Sequence, residues 1–228
     1  MSVTVFLPCR KGSERVPRKN IKPFAGYHHG LIEVKLLQLL SAKTIDAVVL
    51  STNDEEILDY ALSLQDDKLV THQREDSLAS SKTSTDQLVS HAADLITDGD
   101  ILWTHVTSPF LTAEDYDAII SRYFQALEEG FDSLMTTSLI RGFLWNETGP
   151  VNYDRSKEKW PRTQTLTPLH EINSGAFVAP AAIYRELDDR IGQHPMLYPV
   201  DKMKGFDIDW NDDFIIAESI VRSGQVEL

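Results

Sequence analysis

The 228-residue sequence predicts an α/β fold, a three-layer arrangement in which a mostly parallel sheet carries helices on both faces. Three observations carry this reading. Apolar runs of strand length alternate with stretches of helical periodicity four times before Glu129, which is the pattern of right-handed strand-helix-strand crossovers. The strand runs are continuously apolar, as in strands covered on both faces. Helix-capping residues follow directly on strand ends, as in Ser51-Thr52-Asn53-Asp54.

The first strand is Val3 to Leu7, and a polar loop separates it from a helix over Leu31 to Lys43, whose terminal lysine suits the helix dipole. Ala47 to Leu50 reads as the second strand, Glu55 to Leu64 as the second helix, and Lys68 to Thr71 as a short third strand. Thr85 to Thr97 places Leu88, Ala92 and Leu95 on one helical face. Ile101 to Val106 is a strand broken by Thr107-Ser108-Pro109, and Ala113 to Glu129 is a long helix with acidic residues in its first turn. Phe131 to Thr137 is a further strand. Ser138 to Ile172, rich in Gly, Pro and Trp, reads as an irregular inserted arm, a feature that is usually functional or interfacial. Asn173 to Ala179 returns as a strand, Ala181 to Leu187 as a helix, and Asn211 or Asp212 caps a last helix ending at Arg222. Residues 1–228 are expected to form a single domain with 138–172 as its arm.

Apolar content of 42% supports a sizeable core, while no apolar run approaches the ~20 residues of a membrane span. A soluble, cytoplasmic protein is expected. The single cysteine, Cys9, excludes an intrachain disulfide and reads as packing rather than as a nucleophile. A net charge of -13 argues against nucleic acid or an anionic membrane as partner.

The charge is unevenly spread. Between Arg10 and Lys22 stand six basic residues (Arg10, Lys11, Arg15, Arg18, Lys19, Lys22) and one acid, Glu14. Removing those six from 22 basic residues and that one from 35 acidic residues leaves 16 against 34. A cationic loop at the carboxyl end of a first strand, with Gly12 allowing close backbone approach and Ser13 offering a hydroxyl, suits phosphate oxygens. Neither GxxxxGK[ST] nor GxGxxG is present. Near the other end, Asp207 and Asp209 stand two residues apart in an extended segment, so both carboxylates project to one face with Phe206 and Ile208 on the other. Two hard oxygen ligands near a phosphate loop describe a magnesium site; the plainer alternative is an acidic strand end that helps to cap the next helix. Arg74 and the hydroxyl run Ser80 to Thr85 offer donors and acceptors to a base edge. His105, Thr107 and Ser108 end a strand and are placed to touch a second substrate, and Arg162 and Gln164 lie in the arm.

Taken together, these motifs resemble the acylneuraminate cytidylyltransferase family, the CMP-sialic acid synthetases and their relatives. The resemblance runs from Val3 to about Glu218. Its most specific part is LPCRKGSERVPRKN (Leu7 to Asn20), similar to the family's opening apolar-(A/P)-x-R-x-x-S-x-x-x-P-x-K-N. VVLSTNDEEI, THVTSPF, PRTQ, NSGAF and DIDWNDDFIIAE follow in the family's order. The resemblance implies a Rossmann-like nucleotidyltransferase fold and transfer of a cytidylyl group from CTP to a sugar acid with release of pyrophosphate. It also implies a homodimer in which the arm reaches the neighbouring subunit. By the same resemblance, Arg10 and Lys19 hold the phosphates, helped by Leu7, Pro8, Cys9, Gly12 and Ser13. Asn20 holds the nucleotide; Arg74, Thr83 and Thr85 take the cytosine; Asp207 and Asp209 carry Mg2+; and His105, Thr107, Ser108, Arg162, Gln164, Asn173 and Ser174 meet the acceptor. Three departures fall on the acceptor side: His105 replaces a glutamine, Leu111 an arginine, and no lysine stands near Leu144. A different acceptor, such as deoxyoctulosonic acid, another hydroxy acid or a phosphonate, therefore stays open, as do a non-catalytic nucleotide sensor and, more remotely, a dinucleotide-dependent oxidoreductase.

Overall fold

The computed structural model describes residues 2–80 and 82–228. Among them, strands β1 (Val3–Cys9), β2 (Ala47–Thr52), β3 (Leu69–Gln73), β4 (Asp100–Trp103), β5 (Ser133–Ile140), β8 (Leu169–Pro180) and β9 (Pro195–Val200) form a seven-stranded sheet in the order β3-β2-β1-β4-β8-β5-β9. All its neighbours pair in parallel except β8, which runs antiparallel to both β4 and β5. A two-stranded ribbon, β6 (Trp145–Asn146) with β7 (Gly149–Pro150), lies in the arm. The helices are α1 (Gly30–Ser41), α2 (Glu55–Ser63), α3 (Thr85–Leu95), α4 (Ala113–Glu128), α5 (Ala181–Glu186) and α6 (Asn211–Arg222).

Period-two alternation along the strands divides the core between the two sheet faces. Val5, Leu7, Leu50, Leu102 and Val178 join Leu31, Leu39, Ile57, Ile120 and Phe214 from α1, α2, α4 and α6. Phe6, Val49, Ile101, Trp103 and Phe177 face the other way, against Val89 and Ala92 of α3 and Ala181 and Tyr184 of α5. Two helices begin with reciprocal caps that their sequences encode, Ser84 with Gln87 on α3 and Thr112 with Asp115 on α4.

The chain order reverses between β1 and β4, because β2 and β3 add on one side of β1 and β4 on the other. Open α/β sheets bind ligands at such a reversal. Pro8 marks the spot. Phe6 O accepts from Thr104 N, so Phe6 and, two residues on, Pro8 turn their backbone edge towards β4. The β1/β4 pairing ends at Phe6 and Trp103, so the N–H that proline lacks has no partner to serve there. The two strands diverge beyond this point and leave a gap at their carboxyl ends.

Several boundaries differ from the sequence expectation. Strand β4 stops at Trp103, since Thr104 sends its hydroxyl to Gly175 O at 2.6 Å and the chain turns. The arm is less irregular than expected: Ser138 to Ile140 and Leu169 to Ile172 are paired strand, extended beyond the covered sheet, with Ile172 55% exposed and hence without an apolar run to announce them. Strand β9 was not expected; Pro195 and Pro199 hide it, and both are tolerated because β9 is an edge strand. Neither Asn211 nor Asp212 caps α6. The Asp213 carboxylate does so from inside the first turn, accepting from Asp209 N at 3.0 Å and Trp210 N at 2.7 Å.

Candidate active site

A cavity of about 610 Å³ opens in the gap between β1 and β4. It gathers residues from five parts of the chain: Pro8 and Cys9 at the end of β1 with Arg10, Ser13, Glu14, Arg15, Lys19 and Asn20 from the loop that follows; Arg74, Leu78, Ser80, Thr83 and Leu88 from the β3 to α3 segment; His105, Val106 and Thr107 after β4; Ser174 on β8; and Asp207 with Asp209 before α6. Its four cations, Arg10, Arg15, Lys19 and Arg74, exceed its three carboxylates, Glu14, Asp207 and Asp209, on a chain whose net charge is -13. Local positive charge in a recess is the electrostatic requirement for a polyphosphate.

The loop is held open by its own bonds. Gly12 has φ +79°, a left-handed conformation that suits glycine. Lys11 N donates to Asn53 Oδ1 at 2.9 Å, and Asn20 Nδ2 to Arg10 O at 3.2 Å. Lys19 is 8% exposed, donates to Ile208 O, and stands 3.8 Å from Asp209. Burial lowers its pKa, and the nearby Asp209 and Asp207 pull in the opposite direction. Arg15 pairs with Asp209 at 2.8 Å and lies over the Trp210 ring. Both partners of that pair are nearly half exposed, at 47% and 44%, so it is worth at most about 1 kcal/mol and an incoming phosphate can displace it.

The carboxylate pair has the expected arrangement. Asp207 and Asp209 both face the cavity while Ile208 between them is fully buried, its N–H donating to Thr107 O at 2.9 Å. Asp207 Oδ2 accepts from Ser174 Oγ at 3.2 Å, but its Oδ1 is buried without a partner. Burial raises the Asp207 pKa, opposed by the Thr107 hydroxyl, and the like charge of Asp209 raises it further. An orphaned carboxylate oxygen beside a second carboxylate fits a hard divalent cation, which would supply the missing partner.

Arg74 is 3% exposed and is anchored by Nη2 to Cys9 O at 2.9 Å, leaving its buried Nε–H without a partner. Cys9 is buried and its thiol is pushed up to about 12, chiefly by burial, so it packs rather than reacts. His105 accepts from Trp103 Nε1 at 2.9 Å, and burial drives its pKa down to about 3.

Of the residues singled out from the sequence, Pro8, Cys9, Arg10, Ser13, Lys19, Asn20, Arg74, Thr83, His105, Thr107, Ser174, Asp207 and Asp209 meet at this cavity. Leu7, Gly12, Thr85, Ser108, Asn173, Arg162 and Gln164 do not line it. Leu7 and Ser108 are buried in the core, and Thr85 opens α3 behind its cap. Asn173 accepts from Thr136 Oγ1 and Gly175 N through Oδ1 and donates from Nδ2 to Ser138, which occupies its amide in holding β5 to β8. Arg162 and Gln164 sit exposed at a 3-10 turn of the arm. Ser81, part of the hydroxyl run, lies outside the described residues. Sequence reasoning missed Arg15, Glu14, Leu78, Leu88 and Val106 as lining residues. Arg15 was visible in the basic cluster, whereas nothing in the sequence marked the three apolar residues as lining a cavity.

The sequence matches the family described as Cytidylyltransferase over residues 4–220. It is 25% identical over 224 residues to a pseudaminic acid cytidylyltransferase of Campylobacter jejuni subsp. jejuni serotype O:2, covering 95% of each chain. It is 24% identical over 229 residues to an N-acylneuraminate cytidylyltransferase of Escherichia coli O18:K1:H7, spanning 96% of this chain and 52% of that one. Among solved structures, CMP:2-keto-3-deoxy-manno-octonic acid synthetase complexed with CTP superposes with a TM-score of 0.71 at 13% identity, covering 98% of this chain and 100% of the other, a likeness of fold. No helix among the described residues is long and apolar enough to cross a membrane. The cationic cavity at the sheet's reversal point and the match along nearly the whole sequence agree, and the chain belongs to the cytidylyltransferase family of nucleotidyltransferases.

Proposed function

We propose that this enzyme transfers the cytidylyl group of CTP to a hydroxyl of a nonulosonic acid such as pseudaminic acid, releasing pyrophosphate. One observation carries the reading: a single cavity joins the cations Arg10 and Lys19 to the carboxylates Asp207 and Asp209. The acceptor class is supported by the relative named for pseudaminic acid, matched over 95% of both chains.

In the reaction the acceptor hydroxyl oxygen bonds to the α-phosphorus, the bond from that phosphorus to the bridging oxygen breaks, pyrophosphate departs, and the hydroxyl proton is lost to solvent. The protein's part is to position reactants and to offset charge. Arg10 and Lys19 neutralise the departing pyrophosphate, and Lys19 is fixed for this by its bond to Ile208 O. Arg15 leaves Asp209 for the phosphates as they arrive. Arg74 directs its spare Nε–H at an oxygen of the base, with Thr83 nearby in the same wall. His105, Thr107 and Ser174 face the acceptor. Asp207 and Asp209 would hold Mg2+, which would supply Lewis-acid withdrawal of charge from the triphosphate. The reading includes a homodimer in the cytoplasm, in which the arm carries Arg162 and Gln164 to the neighbouring subunit; the exposed Trp145 and Trp160, at 47% and 64%, support an arm that is covered by something.

The test is pyrophosphate release from CTP with Mg2+, crossed with pseudaminic, legionaminic, sialic and deoxyoctulosonic acids. Release that needs CTP and a nonulosonic acid is expected. Turnover of deoxyoctulosonic acid alone would move the acceptor assignment, and silence with all four acids would remove it.

A further inference from the structure

The wall that faces the second substrate contains a hydrogen-bonding group whose polarity the structure fixes. Trp103 Nε1 lies 2.9 Å from His105 Nε2. An indole N–H can only donate, so Nε2 must present its lone pair, and the proton of a neutral ring then sits on Nδ1. Trp103 cannot readily turn away from this contact. It is 1% exposed, meets Phe6 edge to face with centroids 4.8 Å apart, and is covered by the Arg190 guanidinium at 5.3 Å from its ring centroid. Arg190 is itself seated on the Phe177 ring at 3.7 Å, and among the described residues it makes no salt bridge. His105 is only partly buried and borders the cavity, and among the described residues its Nδ1 has no protein partner.

We propose that Trp103 is a positioning residue that holds His105 as the neutral Nδ1–H tautomer, with Arg190 bracing the Trp103 ring, so that His105 presents a fixed hydrogen-bond donor to an oxygen of the acceptor substrate. Burial disfavours the imidazolium, and the cations Arg190, Lys19 and Lys35 disfavour it further, so the donor does not titrate in the physiological range. The group read here is therefore a carboxylate, carbonyl or hydroxyl oxygen, and a protonated amine at that point of the acceptor is rejected. The role given to the acceptor rests on the function proposed above; the tautomer does not.

The tautomer is tested on the wild-type protein by histidine side-chain 15N NMR, with the His105 signals identified by their loss in His105→Asn. A pyrrole-type Nδ1 and a pyridine-type Nε2, unchanged between about pH 5 and about pH 8, are expected. An Nε2–H tautomer, or a titration midpoint in that range, would overturn the proposal. Trp103→Phe should shift the ring towards Nε2–H; because it also thins the core, Arg190→Gln serves as the second variant, expected to keep the tautomer while loosening the ring and broadening its signals. With CTP and pseudaminic acid, His105→Asp should raise the KM for the acid about ten- to a hundredfold while the KM for CTP stays within about twofold. His105→Asn, which keeps a donor, should recover most of that loss. Parallel rises in both KM values would contradict a donor role. If wild-type enzyme turns over no acid, the functional reading fails while the nitrogen spectra still decide the tautomer.

Discussion

Replacing Lys19 by methionine keeps the length of the side chain and removes its charge. In the folded protein this lysine is 8% exposed, donates to Ile208 O, and stands 3.8 Å from Asp209. Two effects on stability oppose each other. Ile208 O loses its donor, a cost of about 1–3 kcal/mol, and Asp209, which is 44% exposed, loses a solvent-screened attraction worth at most about 1 kcal/mol. Against these, the desolvation that lowers the Lys19 pKa disappears, and Asp209 keeps Arg15 at 2.8 Å. The net loss of stability should stay near 1–2 kcal/mol, typical of a single substitution. Turnover has no such compensation. A preorganised cation aimed at a leaving group contributes about 3–4 kcal/mol to the transition state, so kcat/KM should fall about 10²- to 10³-fold. The assay is pyrophosphate release from CTP and pseudaminic acid, run beside thermal unfolding. A kcat/KM within about tenfold of wild type, in a protein still folded at the assay temperature, would refute the placement of Lys19 beside the departing pyrophosphate.

Three further outcomes follow from the same geometry. Asp209→Ala should lower kcat at least about a hundredfold and raise the Mg2+ concentration needed for half-maximal rate; full turnover with unchanged saturation by Mg2+ would remove this residue from the metal site. Burial pushes the Cys9 thiol up to about 12 and keeps it protonated at neutral pH, so a disulfide reagent at that pH should label the native protein far more slowly than the denatured one. Comparable rates in the two states would contradict its burial. In the homodimer proposed above, Trp160→Lys, at a ring 64% exposed and packed edge to face on Phe143, should shift sedimentation from dimer to monomer with little change in melting temperature of the monomer. A dimer of undiminished strength would place the interface elsewhere.

The extent to which the site could be read from sequence follows from where its information lies. The cationic loop and the Asp207/Asp209 pair are local patterns, and both carboxylates share a face because extended backbone alternates, whatever surrounds it. Buried central strands such as Val48 to Leu50 are equally legible, since they are covered on both sides. The misses depend on partners distant in the chain. Strand β9 exists because β5 offers it an edge, which its two prolines conceal. The cap of α6 comes from Asp213 rather than from Asn211 or Asp212, because the extended Asp207 to Trp210 segment turns its own N–H groups back towards that carboxylate. Asn173 looks like a substrate ligand in sequence, yet its amide is committed to Thr136, Gly175 and Ser138. The donor polarity of His105 was invisible for the same kind of reason: residues 103 and 105 are close in sequence, but only the turn after β4 brings indole to imidazole.

Whether CTP and a nonulosonic acid meet in the cavity between β1 and β4 can be followed by 31P NMR of wild-type enzyme with CTP, Mg2+ and pseudaminic acid. One phosphodiester resonance of a CMP-linked acid is expected for each pyrophosphate formed, with neither product when the acid is left out. Pyrophosphate formed at the same rate without the acid, or unchanged CTP in the presence of each of the four candidate acids, would contradict that expectation.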